Sequence, residues 1–397
     1  MKRKLCFIMQ DVFSLGGVQA VVSTITNYLI AHEACEITLI VPRERGSENP
    51  YDVSNQINIV PTCQIYRPAF LLKNARRVYF KFLKKRLPHN MGKVLMRLTK
   101  AIEYPEQYIK DLGAFLEKNR FEAVVGVGAD FALQVALVKK YYSGKTVGWM
   151  HTTCDGYFYQ NQSSAYGMYA LACDVFPNLD RIFVLTKTDK DIFDARFGVN
   201  CTVLHNALPA LPCKRSAQDT KCLIWVGRLR EYSKGTDYLV EIFKRIHGIN
   251  PEWKLLIVGD GVDGERLRCQ LATAGLLNDV QMYGRVENDV LLQELYAKAD
   301  ISLNTSRIEG FGMAIAEAGA CGVPTIAFAN SGPMEIIEDG VNGIIIPPCD
   351  VDAFVEATVA LMKDQTAREK MAEAILRRVK DFSIENIAKE FLAGVGD

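Results

Sequence analysis

Features that would define several other classes of protein are scarce in this sequence. The 397 residues include 47 Lys and Arg against 46 Asp and Glu, so no excess of positive charge is available to coat a nucleic acid. The most apolar stretch, residues 121–138, contains Glu122 and Asp130 and falls short of the about 20 uninterrupted apolar residues that span a membrane. These absences argue against nucleic-acid binding and against a transmembrane helix.

Cysteine usage and the N-terminus argue against a secreted protein. The eleven cysteines are odd in number and scattered, and no Cys-x-x-Cys pair occurs, which disfavours a disulfide framework or a zinc ribbon. The basic N-terminus is followed by only five apolar residues, 5–9, fewer than the roughly 7–15 of a signal peptide. We therefore expect reduced thiols and a cytoplasmic location.

Short apolar runs alternate with segments of helical periodicity along both halves of the chain. Runs rich in Val and Ile predict strands buried on both faces of a parallel sheet. The alternation predicts the α/β class, with two doubly wound Rossmann-like domains. The Pro-containing, polar segment 206–220 predicts the boundary between them. The expected division is an N-terminal domain over 1–205, a C-terminal domain over 206–380, and a helix over 381–397 that packs back on the N-terminal domain.

The first candidate site follows the apolar run 301–304. Gly310 and Gly312 allow backbone N–H groups to approach a ligand closely, and a helix that starts near Gly312 favours a phosphate at its N-terminus. Glu317, inside that helix, could accept hydrogen bonds from ribose hydroxyls, and Glu309, before it, could hold a second sugar. The alternative is a tight turn with two surface glutamates.

The second candidate site is a pair of cations after the apolar run 222–226. Arg228 and Lys234 lie on the loop that leads into the next helix. Open α/β sheets bind ligands at the carboxyl ends of their strands, where two cations could neutralise a diphosphate. The alternative is a solvated basic loop.

Two weaker signals lie in the first half. Gly16 and Gly17 follow the first apolar run but lack the full Gly-x-Gly-x-x-Gly spacing of a dinucleotide site. Their turn could still bring the backbone close to a phosphate or a sugar. His151 follows the run 146–150; a lone histidine is more often structural, but the carboxyl end of a strand favours a functional role.

Taken in order, these motifs resemble the retaining nucleotide-sugar glycosyltransferases of family 4, of the bacterial surface-polysaccharide or glycolipid type. The resemblance spans nearly the whole chain and is most specific in its second half. It implies the GT-B fold, in which two Rossmann-like domains flank an interdomain cleft. The matching positions are Gly16-Gly17, His151, Val226-Gly227-Arg228, Lys234-Gly235, 256–261, Tyr283-Gly284-Arg285-Val286, 309–317, 322–325 and Asn342-Gly343.

The resemblance also implies roles for individual residues. His151, Arg228, Lys234 and Glu309 would form the catalytic set, with the two cations on the donor diphosphate and His151 beside the transferred sugar. Glu317 would hold the ribose hydroxyls. The remaining donor contacts would come from Gly16, Gly17, Val286, Gly310, Phe311, Gly312 and Met313, and the backbone near Val286 would meet the base.

The implied activity is that of a hexosyltransferase-type enzyme. A sugar would move, with retention, from a nucleotide diphosphate-sugar, expected to be a UDP-sugar, to a hydroxyl of a lipid-linked or glycan acceptor in polysaccharide or glycolipid biosynthesis. The N-terminal domain would bind the acceptor. Two alternatives remain at this stage, a nucleotide-sugar epimerase of similar fold and a non-catalytic nucleotide-sugar-binding subunit.

No metal or other cofactor is expected. Two Asp-x-Asp triplets could in principle hold a divalent ion on a diphosphate, at Asp189 to Asp191 and at Asp350 to Asp352. Both fall where a helix is expected to begin, and acidic residues are common there because they cap the helix and complement its dipole. The capping interpretation is therefore favoured.

One segment carries a strong local charge. Residues 71–100 contain ten Lys and Arg and no Asp or Glu, interleaved with aromatic and aliphatic residues. This pattern is typical of an element at an anionic membrane surface, and Lys81, Lys84, Lys85 and Arg86 are the expected contacts. It predicts a peripheral protein at the inner face of the cell membrane. The alternatives are a solvated helix face and, with less support, RNA binding.

Overall fold

A computed structural model describes residues 2–14, 16–42, 49–68, 78–86, 93–160, 163–208, 220–286 and 289–396. The chain divides into two compact units. The first comprises Met1–Ala207 together with Ile384–Asp397, and the second comprises Leu208–Ser383.

The first unit is built on a seven-stranded parallel sheet with the order β3-β2-β1-β4-β5-β6-β7. The central strands are apolar on both faces, and all five residues of β4 are buried. The order reverses between β1 and β4, which pair in parallel with Phe7 opposite Val125. The strands are β1 (Arg3–Ile8), β2 (Cys35–Val41), β3 (Asn58–Pro61), β4 (Ala123–Val127), β5 (Lys145–Trp149), β6 (Arg181–Val184) and β7 (Thr202–Val203).

Helices connect these strands and cover the sheet. In chain order they are α1 (Gly17–Ala31), α2 (Thr62–Ile65), α3 (Lys93–Glu103), α4 (Glu106–Asn119), α5 (Ala129–Val138), α6 (Cys154–Phe158), α7 (Tyr169–Val175) and α8 (Lys187–Phe197). Shorter helical turns span Tyr79–Leu83, Lys84–Arg86, Lys139–Tyr141 and Phe176–Asn178.

The second unit repeats the architecture on a six-stranded parallel sheet with the order β10-β9-β8-β11-β12-β13. Its strands are β8 (Cys222–Val226), β9 (Lys254–Val258), β10 (Val280–Gly284), β11 (Ile301–Asn304), β12 (Thr325–Phe328) and β13 (Gly343–Ile346). Its helices are α9 (Glu231–Lys234), α10 (Thr236–Ile249), α11 (Gly264–Thr273), α12 (Asp289–Ala297), α13 (Met313–Ala320), α14 (Ser331–Ile336), α15 (Val351–Lys363) and α16 (Gln365–Arg378), followed by a turn at Val379–Phe382.

One apolar face of α10 lies in the core of the second unit. Leu239, Ile242, Phe243 and Ile246 are fully buried, because residues at this spacing share one face of a helix. Two parallel sheets with helical connections confirm the predicted α/β class of two doubly wound Rossmann-like units.

The C-terminal helix α17 (Ile384–Gly396) is part of the first unit. The Phe391 ring lies 5.8 Å from that of Phe7 on β1 and 5.6 Å from that of Trp149 on β5. The guanidinium of Arg3 donates a hydrogen bond of 2.8 Å to the carbonyl of Leu392. The end of the chain thus covers the central strands of the sheet that contains its beginning.

The basic segment is only partly described, since residues 71–77 and 87–92 and the side chains of Lys81 and Lys85 lie outside the described part of the chain. The prediction that Lys84 contacts the membrane is wrong. Its ammonium group is buried, forms an ion pair of 2.8 Å with Glu103 and also donates to the carbonyl of Ser164. A lysine held in this way does not reach a lipid headgroup, so Lys84 is not a membrane contact in this structure.

Other residues of the segment remain exposed. Arg86 and Arg97 face solvent, and so do four large apolar side chains, those of Val78, Phe82, Leu83 and Leu98. Among the described residues, no helix combines the length and the apolar character needed to cross a membrane.

Candidate functional site

The candidate site of the second unit lies where its strand order reverses. The neighbouring strands β8 and β11 pair in parallel, and the connections from the two strands leave in opposite directions across the sheet. The loops that follow their carboxyl ends therefore meet at one edge, the usual ligand position in open α/β sheets. Arg228 and Lys234 follow β8, and Glu309 and Gly312 follow β11.

Closely packed glycines support the Arg228 loop. The amide of Gly227 donates to the carbonyl of Val258 at 3.0 Å, and the amide of Leu229 donates to that of Asp260 at 2.9 Å. Gly259 has a φ of 138°, and a Cβ atom there would lie 1.8 Å from the carbonyl oxygen of Gly227. These glycines thus let two loops pack against each other.

Lys234 and Glu309 form the central contact of the site. Lys234 ends the short helix α9, and its ammonium lies 2.6 Å from a carboxylate oxygen of Glu309. The hydroxyl of Ser306 donates to the same oxygen at 3.1 Å. Both charged side chains are largely buried, so solvent screens their attraction less than on an open surface.

Arg228 differs from Lys234 in having no charged partner. Its side chain is exposed and makes no ion pair or hydrogen bond within the described ranges. An exposed arginine on the same loop as this largely buried ion pair leaves a positive charge available to an anion, and its planar fork suits a phosphate.

The helix α13 begins beside Glu309. Gly312 precedes it in the left-handed region, with φ 98°, which disfavours other residues. A Cβ atom on Gly312 would lie 3.6 Å from the Cγ atom of Glu309. The amides of Met313 and Ala314 make no hydrogen bond within the described ranges, so the helix presents free donors and its positive dipole end at this edge.

Phe311 takes part in the core of this unit. Its ring is buried and packs edge-to-face on Phe382, with the centroids 5.2 Å apart. Of the predicted donor contacts in this loop, Phe311 can therefore offer only its backbone. Val286 follows β10, is half-buried and packs against the core cluster that contains Leu256, Val258 and Tyr296.

Glu317 is oriented by a residue that sequence reasoning missed. The hydroxyl of Tyr296, on α12, lies 3.0 Å from a carboxylate oxygen of Glu317. Burial raises the pKa of Tyr296 well above its ordinary value, and the charge of Glu317 adds to the rise, so the phenol stays protonated. No spacing in the sequence indicates this contact, because it depends on how α12 packs against α13.

In the first unit, Gly16 and Gly17 begin α1 after the carboxyl end of β1. The amide of Gly16 donates to the hydroxyl of Tyr51 at 2.8 Å, and that hydroxyl lies 3.0 Å from the carbonyl of Gly16. The sequence did not predict a role for Tyr51, whose hydroxyl accepts the hydrogen bond of the Gly16 amide and so leaves that amide unavailable to a ligand. A Cβ atom on Gly17 would have nothing within 4 Å, so the space beside Gly17 is open.

His151 follows β5 in the same unit. Its ring lies 4.6 Å from that of Trp149, and its backbone amide donates to the hydroxyl of Tyr157 at 2.7 Å. Both ring nitrogens are buried and have no partner among the described residues. Burial lowers the pKa of His151 to about 3, so the imidazole is neutral near pH 7.

The structure therefore brings together Lys234, Glu309 and Gly312 at one edge of the second sheet, with Arg228 on the same loop as Lys234. The predicted donor and catalytic residues of the first unit are Gly16, Gly17 and His151. They follow the carboxyl ends of β1 and β5.

The comparisons with known proteins agree with this architecture. Residues 213–378 match the family model of glycosyl transferases group 1. An uncharacterized glycosyltransferase of Haemophilus influenzae is 24% identical over 98% of this chain and 99% of its own. The amylovoran biosynthesis glycosyltransferase AmsD of Erwinia amylovora is 25% identical over 98% of each chain.

A further relative is matched only in part. An exopolysaccharide phosphotransferase of Streptomyces coelicolor is 30% identical over 54% of this chain, and the match spans only 23% of that protein. Among solved structures, the lipopolysaccharide outer core galactosyltransferase WaaB has a TM-score of 0.73 at 19% identity over 99% of each chain. Anabaena HepE in complex with UDP has a TM-score of 0.75 at 16% identity over 99% of each chain. These likenesses to solved structures establish the fold.

The two parallel sheets have the GT-B architecture of these solved structures, and the family match together with the full-length relatives indicates a glycosyltransferase. The matched residues 213–378 span most of the second unit. The predicted resemblance to GT-B glycosyltransferases of polysaccharide biosynthesis and the predicted enzyme class are thereby confirmed.

Proposed function

We propose that this enzyme transfers a hexosyl group, with retention of anomeric configuration, from a UDP-sugar to a hydroxyl of a lipid-linked or glycan acceptor in polysaccharide or glycolipid biosynthesis. The observation that carries the proposal is the edge after β8 and β11, where Arg228, the Lys234–Glu309 pair and the start of α13 meet. The name of AmsD supports the polysaccharide setting, and the UDP bound by HepE supports the donor.

The chemistry follows from the charge that develops on the leaving group. As the bond from the anomeric carbon to the diphosphate breaks, negative charge grows on the departing oxygen. Arg228, Lys234 and the free amides at the start of α13 would stabilise that charge, because they are fixed in place before the reaction. Glu317, held by Tyr296, would accept hydrogen bonds from the ribose hydroxyls.

The remaining roles belong to the same proposal. Glu309 would bind the donor sugar, Val286 would meet the base through its backbone, and neutral His151 would lie beside the transferred sugar. Gly16 and Gly17 would approach the phosphate or the acceptor. No metal or other cofactor is required in this scheme, because the protein's own cations neutralise the diphosphate.

Replacing Lys234 or Glu309 by Ala tests the site. Either change should lower the transfer rate by roughly 100- to 1,000-fold, the usual cost of one preorganised group. UDP-, GDP-, ADP- and dTDP-sugars are first ranked by thermal shift, and the best donor is then assayed with a lipid extract. Lys244→Ala, an exposed lysine on α10, is the matched control and should leave the rate unchanged.

Three outcomes would contradict the proposal in different ways. Near-normal rates in both variants would show that Lys234 and Glu309 are not part of the active site. Conversion of the donor without an acceptor would indicate an epimerase. Donor binding without transfer to any acceptor would indicate a non-catalytic binding subunit.

A further inference from the structure

The two loops of the candidate site are joined by backbone hydrogen bonds. The amides of Arg307 and Ile308, after β11, both donate to the carbonyl of Ser233, at 2.9 and 3.1 Å. The hydroxyl of Thr305 donates to the carbonyl of Lys234 at 2.9 Å. The backbone carbonyl groups of Ser233 and Lys234, which flank the Cα atom of Lys234, are therefore held by the loop that carries Glu309.

The loops also approach too closely for any side chain to lie between them. Gly235, directly after Lys234, has a φ of 62°, and a Cβ atom there would lie 2.1 Å from the carbonyl oxygen of Thr305. This close packing means that a small displacement of one loop is transmitted to the other.

The side chain of Arg307 adds further contacts between the two loops. Its guanidinium binds both carboxylate oxygens of Asp237, at 2.8 and 2.6 Å, and donates to the carbonyl of Glu231 at 2.9 Å. It also stacks over the ring of Tyr238, with its central carbon 3.9 Å from the ring centroid. Arg307 thus links the start of α9, the four-residue helix that ends with Lys234, to the first turn of α10.

The charges of Arg307 and Asp237 favour a fixed geometry for the ion pair that these two residues form. Burial raises the pKa of Asp237, but the hydrogen bonds and charge of Arg307 outweigh it and bring the pKa below its ordinary value. The hydrogen bonds that Arg307 donates to Asp237 in turn raise the pKa of Arg307. Both groups stay charged near pH 7, and a bidentate pair of this kind restricts direction as well as distance.

We propose that Arg307 is a positioning residue for the diphosphate subsite: by clamping Glu231, Ser233 and Asp237, it sets the position of the Lys234 ammonium relative to Glu309. Arg307 does not itself touch the ligand. This inference rests on the proposed function, in which Lys234 binds the diphosphate.

The test measures the affinities of UDP and UMP by calorimetry on the full-length chain. Lys234 in a diphosphate subsite favours UDP over UMP, and Lys234→Ala should lower that preference roughly tenfold, as expected for loss of a hydrogen bond to a charged group. Arg307→Lys keeps the charge but loses the fork and the stacking, and should lower the preference about fivefold. Arg307→Lys should have no further effect in the Lys234→Ala background, because Arg307 acts through Lys234.

A matched control is available in the same unit. Arg245 forms an exposed ion pair of 2.6 Å with Asp352, away from the two loops. Arg245→Lys makes the same chemical change and should leave the preference for UDP unchanged. If Arg307→Lys does not fold, Asp237→Asn replaces it, since this variant keeps the side-chain shape and should shift the preference in the same direction.

The outcomes separate the inference from the proposal beneath it. If Lys234→Ala leaves the preference for UDP unchanged, the proposed function is wrong and the inference falls with it. If Lys234→Ala lowers the preference and Arg307→Lys does not, or lowers it equally in the Lys234→Ala background, only the positioning role is refuted. If UDP gives no binding, the diphosphate and monophosphate of guanosine, adenosine or thymidine with the largest thermal shift are used, and binding by none of them contradicts the proposed function.

Discussion

The two cations of the candidate site are held in different ways. Lys234 is already paired with Glu309 at 2.6 Å, whereas Arg228 is exposed and unpaired within the described ranges. Under the proposed function, an incoming diphosphate would contact Arg228 without breaking any contact, but it would share Lys234 with a carboxylate. Ground-state pairing of this kind keeps the lysine in place before the ligand arrives.

His151 is distinguished by what it lacks. Both ring nitrogens are buried without a partner among the described residues, and a neutral imidazole can donate at one nitrogen and accept at the other. A hydroxyl-rich ligand could satisfy either nitrogen, which agrees with the proposed place beside a sugar.

The burial of His151 predicts a pH-dependent stability. The pKa falls from 6.5 to about 3 on folding, so below pH 6.5 the unfolded chain binds a proton that the folded chain does not. Acid therefore favours unfolding, by at most about 1.4 kcal/mol per pH unit between pH 6.5 and 3. Lowering the pH from 7 to 5 should thus destabilise the natural protein more than His151→Asn, as measured by urea unfolding at both pH values.

Asp130 changes the pH dependence of stability in the opposite direction to His151. The test must therefore compare the variant with the natural protein at each pH. Burial raises the pKa of Asp130 from 3.8 to about 6, so the folded protein loses stability as the pH rises through that interval. Comparing variant and natural protein at the same pH cancels this contribution. His32→Asn, at an exposed histidine, is the matched control. Equal pH slopes for His151→Asn and the natural protein would contradict the buried neutral state.

At the scale of elements, the first aspartate of each Asp-x-Asp triplet lies at the start of a helix, where Asp350 is the N-cap of α15 and Thr186 is the N-cap of α8. The carboxylate of Asp350 accepts from the amide of Ala353 at 2.9 Å at the start of α15. The hydroxyl of Thr186 accepts from the amide of Asp189 at 3.0 Å and donates to its carboxylate at 2.8 Å, before α8. In both triplets the first aspartate is thus engaged at the helix terminus, as its capping role predicts.

Asp350 permits a test of the cap against the metal. Asp350→Asn should keep both stability and transfer rate, since asparagine caps equally well, while Asp350→Ala should lower the free energy of unfolding by about 1 kcal/mol. Chemical denaturation and the transfer assay measure the two effects. Addition of EDTA should leave the rate of both variants unchanged. Loss of transfer in Asp350→Asn, or loss with EDTA that magnesium restores, would establish a metal instead.

At the scale of the whole molecule, the charge is unevenly distributed. The net charge is +1, yet residues 71–100 carry ten cations and no acid, so the rest of the chain has a net charge of −9. Arg86 and Arg97 are exposed in the same segments as the exposed side chains of Phe82 and Leu98. Exposed cations beside exposed apolar side chains fit the location at an anionic leaflet that the sequence predicts, and we propose that the acceptor lipid lies there.

Vesicle binding tests this location. Reversing the charges in Arg86→Glu with Arg97→Glu should weaken binding to anionic phosphatidylglycerol vesicles more than tenfold at low salt, since each cation contributes about 1 kcal/mol near such a surface. Co-sedimentation measures the effect, which should shrink at high salt. The double variant Lys370→Glu with Arg377→Glu, at exposed cations of the second unit, carries the same charge change and should bind normally. Equal binding by both double variants would refute the membrane contact.

The sequence by itself determined the fold class and the residue types of the donor edge. Apolar runs such as β4 and β11 are buried on both faces, so their strand character is encoded locally, and the glycines and glutamates after 301–304 mark the loop that follows. The edge strand β3 (Asn58–Pro61) was not predicted, because its four residues begin with asparagine, end with proline and form no apolar run.

Only the tertiary structure decided the partners. Lys234 meets Glu309 across 75 residues of sequence, Lys84 is buried against Glu103, Tyr51 occupies the Gly16 amide, and Tyr296 orients Glu317. Periodicity records which face of an element is buried but not which element covers it, and strand order alone brings the ends of β8 and β11 together. The same limit explains why Lys84 was predicted to face a membrane: its charge is visible in the sequence, whereas the carboxylate that neutralises it arrives only when α3 packs.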